Sequence, residues 1–154
     1  MQTVSFKGST QLIALLDEAV RRSDPRKTTH AIKDALCRLI RQRDMLLPEC
    51  VCQPQAAQYA RRLLYRSEEL GYTVVAMTWG PGQGTPIHDH SGMWCVEGVW
   101  QGQIEVEQYE IKEQADDRYR FEYCSTVQAG VGSAGCLIPP HEYHRICNPL
   151  TDQS

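Results

Sequence analysis

Two kinds of apolar spacing divide this chain. Through residue 70 the apolar side chains recur at helical intervals: Leu12, Leu15, Leu16, Ala19 and Val20 make one stripe, and Ile32, Ala35, Leu36, Leu39 and Ile40 a second. Ser23-Asp24-Pro25 separates the two, Thr28-Thr29 offers caps for the second helix, and Leu47-Pro48 follows its expected end. A third helix is predicted after Gln53-Pro54, running through Tyr59-Ala60-Arg61-Arg62-Leu63-Leu64-Tyr65. From Tyr72 the signals become those of strands: Tyr72 to Trp79, Met93 to Trp100, Gln103 to Ile111, Tyr119 to Val127 and Gly135 to Ile138. Gly80-Pro81-Gly82, Gln101-Gly102 and Ala129-Gly130-Val131-Gly132 punctuate them as turns. The pattern predicts a mainly β protein, an antiparallel barrel or jelly roll over residues 71–154 with a helical N-terminal part, residues 1–70, packed outside it.

Composition narrows this picture without redirecting it. A chain of 154 residues that is 42% hydrophobic can bury one core, so residues 1–154 are expected to form a single domain. A formal net charge of −3 and an isoelectric point near 5.9 give no electrostatic reason for nucleic acid or an anionic membrane as partner, which leaves a small molecule. The first twenty residues, with Lys7, Asp17 and Glu18, lack the apolar run of a signal peptide or membrane span, and a cytoplasmic location is expected. Seven cysteines form an odd set without the spacing of a disulfide framework, so they read as mostly reduced. Cys50-Val51-Cys52 has no second pair at zinc-binding spacing and reads as two loop thiols.

The candidate chemistry lies in two segments. In Gly82-Gln83-Gly84-Thr85-Pro86-Ile87-His88-Asp89-His90, two histidines one residue apart in extended chain fall on one face, where a single metal ion can take both imidazoles. Downstream, Pro139-Pro140-His141-Glu142-Tyr143-His144-Arg145-Ile146-Cys147-Asn148 offers a third, either His144 or His141. Asp89, alternating with its neighbours, reads as an outer or surface residue, and His30, on the helical part, as unrelated to the site.

These residues carry a resemblance. Gly82, His88-x-His90, position 95 and Gly102 fall in register with the first cupin motif, with Cys95 in place of the usual glutamate ligand. Pro139 and His144-x3-Asn148 match the second motif, with His141 at its usual glycine position. The missing glutamate, together with Trp79-Gly80-Pro81-Gly82 leading into Ile87-His88-Asp89-His90, resembles the cysteine dioxygenase family of thiol dioxygenases. Tyr59-Ala60-Arg61-Arg62-Leu63 is similar to the family's segment bearing a substrate-binding arginine. The resemblance covers roughly residues 55 to 148 and implies a cupin jelly-roll barrel.

It implies further that His88, His90 and His144 bind Fe(II), and that the loaded site adds both atoms of O2 to the sulfur of L-cysteine, giving cysteine sulfinic acid. Three neutral imidazoles leave the ion's positive charge intact, which favours an anionic thiolate. Arg61 is the candidate for the substrate carboxylate, with Arg62 and Arg66 as alternatives. Cys95 corresponds to the cysteine that, in part of the family, joins a tyrosine in a thioether crosslink; otherwise it is a small buried side chain. The family continues past the position where this chain ends, so the closing strands of the barrel are expected to be missing. Three readings compete with cysteine oxidation: oxidation of 3-mercaptopropionate or another small thiol, a non-catalytic metal- or ligand-binding cupin, and a zinc or nickel cupin enzyme.

Overall fold

A computed structural model describes residues 4–140 and 142–150 of the chain. The two N-terminal helices form where the apolar stripes place them: α1 spans Ser9–Val20 and buries Leu12, Leu16 and Ala19, and α2 spans Pro25–Arg41 and buries Ile32, Ala35, Leu39 and Ile40. The cap of α2 is Asp24, whose carboxylate accepts from the Lys27 N–H at 2.8 Å, with Pro25 in the first turn where no N–H is needed. Thr28 and Thr29 therefore lie inside the helix. Thr28 Oγ1 donates to the Ala19 carbonyl at 3.0 Å and so ties α2 to the end of α1.

The third helix does not form. A short 3-10 turn, Glu49–Cys52, is followed by strand β1, Ala60–Ser67, which pairs antiparallel with β2, Tyr72–Thr78. Ala60 and Leu64 are buried and four residues apart, a spacing that satisfies a helix and a strand equally, and the Ala/Arg/Leu composition favours helix. Pairing with β2 decides between them. A register shift between Leu63 and Tyr65 obscures the alternation that would have marked the strand. Strand structure thus begins inside the part of the chain expected to be helical.

The remaining strands are β3 (Cys95–Gly98), β4 (Gln103–Ala115), β5 (Arg118–Gly130), β6 (Ala134–Leu137) and β7 (Tyr143–Cys147). They pair antiparallel as β3 with β6 and as β5-β4-β7. With 40% strand against 23% helix the protein is mainly β, as a cupin-like fold requires. Val96 on β3, together with Trp94 and Trp100, packs against the helical core cluster around Leu39 and Ile40. Gly98 lets α2 come close, since a Cβ there would meet Ile40 Cδ1 at 3.2 Å. Among the described residues no helix is long and apolar enough to cross a membrane.

Candidate metal centre

The segment carrying His88 is extended but makes only isolated bridges, Gly84 to Cys147 and His88 to His144. Pro86 has no N–H to continue a ladder. The segment is nevertheless laced tightly to β7. Thr85 N–H donates to the Ile146 carbonyl at 2.8 Å, and Ile146 N–H donates to Thr85 Oγ1 at 3.0 Å. His88 and His144 exchange both backbone hydrogen bonds at 3.0 Å. Gly84 permits this approach, because a Cβ there would lie 3.0 Å from the Ile146 carbonyl oxygen. Asn148, the last residue of the second motif, closes the arrangement by donating from Nδ2 to the Trp79 carbonyl at 3.0 Å.

This lacing sets His88 directly opposite His144. The ring centroids of these two are 4.3 Å apart, with His90 at 5.1 Å from His144 and 5.5 Å from His88. One nitrogen from each ring lies within 4.8 Å of the others, a separation that one ion can bridge after small adjustments. Backbone carbonyls fix two of the rings: His144 Nδ1 lies 2.6 Å from the Glu142 oxygen and His88 Nδ1 2.9 Å from the Pro86 oxygen. A carbonyl only accepts, so each Nδ1 carries the proton and each Nε2 presents a lone pair. His144 is wholly buried, and its Nε2 has no partner; the buried Nδ1 of His90 has none either. Two orphaned ring nitrogens in a cluster of three imidazoles fit a metal site, and the donor set suits a divalent transition metal.

Electrostatics keep the rings ready. Burial, reinforced by the neighbouring histidines, pushes His144 down to about 4, and burial followed by the charge of His88 lowers His90. Both are neutral at pH 7, the form that ligates. His141, the competing third histidine, lies outside the described residues. His30 is exposed on α2, away from the cluster.

Cys95 stands beside His90. Cys95 is half-buried on β3, and desolvation, with Glu97 and Glu142 adding, pushes its thiol up to about 12. The Arg61 guanidinium opposes that rise and disfavours a protonated His90, so its charge reaches both groups. From β1 it also lines an open cleft of about 300 Å³ with Leu63, Arg66, Thr73 and Val75. Arg62 faces away and is committed elsewhere, donating to the Val51 carbonyl at 3.0 Å and the Gln53 carbonyl at 2.7 Å. Arg66 shares the cleft with Arg61. All seven cysteines are free thiols, and Cys50 and Cys52 sit in the 3-10 turn.

Sequence reasoning missed Glu97. It follows Cys95 by two residues on β3 and therefore shares its face of the strand. That same alternation, applied to a motif whose glutamate is displaced, was the available signal. Burial alone pushes its carboxyl up to about 7. The consequence is measurable. The folded carboxyl keeps its proton to about pH 7 whereas an unfolded one releases it near 4.5, so wild-type stability is lost as pH rises through that window. His144 works in the opposite sense, costing stability as pH falls from 6.5 towards 4. Subtracting wild type from Glu97→Gln isolates the first. Metal-free Glu97→Gln should gain about 3 kcal/mol on wild type between pH 4.5 and 7 in denaturant titrations, and a pH-independent difference would refute the buried acid.

The sequence family of cysteine dioxygenase type I matches residues 54–153, a span that takes in β1, both histidine segments and every strand between them. By that match and this geometry, the chain belongs to the cysteine dioxygenase type I family, the cupin-fold, metal-dependent dioxygenases of small thiols.

Proposed function

We propose that this protein binds Fe(II) through His88, His90 and His144 and oxidises L-cysteine with O2 to cysteine sulfinic acid, both oxygen atoms entering the product. The observation that carries the reading is the convergence of three imidazoles, two of them with buried, unpartnered nitrogens, within reach of the charge of Arg61. Bound iron supplies the activation of dioxygen and the positive charge that favours a thiolate substrate. The protein's share is positioning and protonation state. The three imidazoles add no negative charge, so the site selects an anionic sulfur. Arg61 holds the substrate carboxylate by paired hydrogen bonds and thereby turns the sulfur toward the imidazole cluster. Cys95 keeps its proton at neutral pH and fills space beside His90 without competing as a thiolate. The helical part and the barrel act as one domain, because α2 packs on β3, the strand that carries Cys95.

Oxygen uptake by the anaerobically Fe(II)-loaded protein tests this, with cysteine and 3-mercaptopropionate offered separately and iron measured on the same sample. Uptake with cysteine and matching sulfinate is the expected result. Faster uptake with 3-mercaptopropionate would reassign the substrate, and iron bound without uptake would favour a binding cupin. Failure to bind iron would sink the three-histidine site.

A further inference from the structure

The described residues hold a second set of metal-ligating atoms, and it overlaps the first. His90, Cys95 and Glu97 each offer one ligand atom, and these lie within 4.8 Å of one another. Their placement follows from β3. Val96 and Gly98 face the helices, where Val96 joins the core and Gly98 meets Leu36 and Ile40, so Cys95 and Glu97 share the opposite face. Glu97 has no ion-pair or hydrogen-bond partner among the described residues, although it is half-buried. A carboxyl, a thiol and an imidazole brought together at half-buried positions form the mixed donor set of a zinc site.

We propose that His90, Cys95 and Glu97 form a second cation site that selects zinc over iron and, by claiming His90, excludes metal from the three-histidine cluster while it is filled. Charge explains the selectivity. Thiolate and carboxylate cancel both positive charges of a divalent ion, whereas three imidazoles cancel none, and thiolate sulfur favours the softer zinc. Binding is linked to protons: the zinc–sulfur bond forms as the S–H bond breaks, and the thiol proton, with the carboxyl's where present, passes to solvent. A tetrahedral zinc needs ligand atoms about 3.4 to 3.8 Å apart, so the three side chains close in by roughly an ångström. The site does not depend on the iron reading, since only His90 is common to both.

The test uses the full, metal-free chain titrated with Co(II) alone as a spectroscopic probe and with Zn(II) alone. Wild type and His88→Asn, which leaves this site whole, should both show a thiolate-to-cobalt charge-transfer band. Cys95→Ser should lose it, and Glu97→Gln should weaken cobalt binding at least tenfold. X-ray absorption of zinc-loaded wild type should find one sulfur and two or more nitrogen or oxygen ligands, a result that needs no variant to fold. Iron content should fall by one equivalent per zinc bound. Cobalt binding without a thiolate band, a band that survives Cys95→Ser, or two sulfurs on zinc (Cys50 and Cys52) would each overturn the proposal. Should His88→Asn keep iron while the band behaves as expected, the three-histidine reading fails and this one stands.

Discussion

Replacing His144 with alanine is expected to leave the protein unable to retain iron through gel filtration and to lower thiol-dependent oxygen uptake by more than about a hundredfold, since even indirect ligand supports cost that much. His144 is the ring that both others approach, at 4.3 and 5.1 Å between centroids. Its Nδ1 is held by the Glu142 carbonyl, so its Nε2 is aimed by the backbone of β7 itself and no neighbour can take its place. The backbone exchange with His88 does not involve the side chain, and the variant should therefore fold with β7 in register. His141→Ala is the control. It should keep its iron; the reverse outcome, with iron lost on removing His141 and kept on removing His144, would move the third ligand to His141. Because His144 pays for its burial only when protonated, metal-free His144→Ala should also be less acid-sensitive than wild type below pH 6.5.

The elements whose residues carry their own periodicity were legible in the sequence: both helices, whose stripes of Leu12, Leu16 and Ala19 and of Ile32, Leu39 and Ile40 became the core, and the strands from β2 to β6, whereas β7, Tyr143–Cys147, was not among the predicted strands. β1 was not, because Ala60 and Leu64 fit two periods and the deciding term is the pairing of Arg61 with Met77 and its neighbours, which no local window contains. The cap of α2 went to Asp24, one residue before proline, and not to the threonines, since a residue inside the first turns cannot accept from the N–H groups that start them. His88-x-His90 was readable as a pair because alternation is local. Its union with His144 rests on bridges among Gly84, Thr85, Ile146 and Cys147, long-range contacts that motif spacing only hints at. Glu97 escaped notice for another reason. A glutamate in a strand is ordinarily solvated, and only the packing of Val96 and Gly98 on α2 turns this one inward.

Arg61→Ala should raise KM for thiols that carry a carboxylate by about 10- to 150-fold, the loss of one charge-assisted contact of about 1.5 to 3 kcal/mol, with a smaller change in kcat. Arg61, Arg62 and Arg66 differ in what each already does. Arg62 is spent on the Val51 and Gln53 carbonyls, so Arg62→Ala should lower thermal stability and leave KM near wild type. Arg66 lines the same cleft, whereas Arg61 alone among them bears on His90 and Cys95. A substrate whose sulfur is held at the imidazoles and whose carboxylate is a few bonds away must therefore meet Arg61 first. Cysteamine, which has the thiol and amine of cysteine without its carboxylate, provides the internal control: its turnover should be equally poor in wild type and Arg61→Ala. Arg61→Lys should recover only part of the lost affinity, because an ammonium supplies the charge without the two-pronged geometry. If Arg66→Ala raised KM as much as Arg61→Ala, the carboxylate would sit deeper in the cleft than proposed; if Arg61→Ala slowed cysteamine as well, the role of Arg61 would be to shape the imidazole cluster and not to hold the substrate.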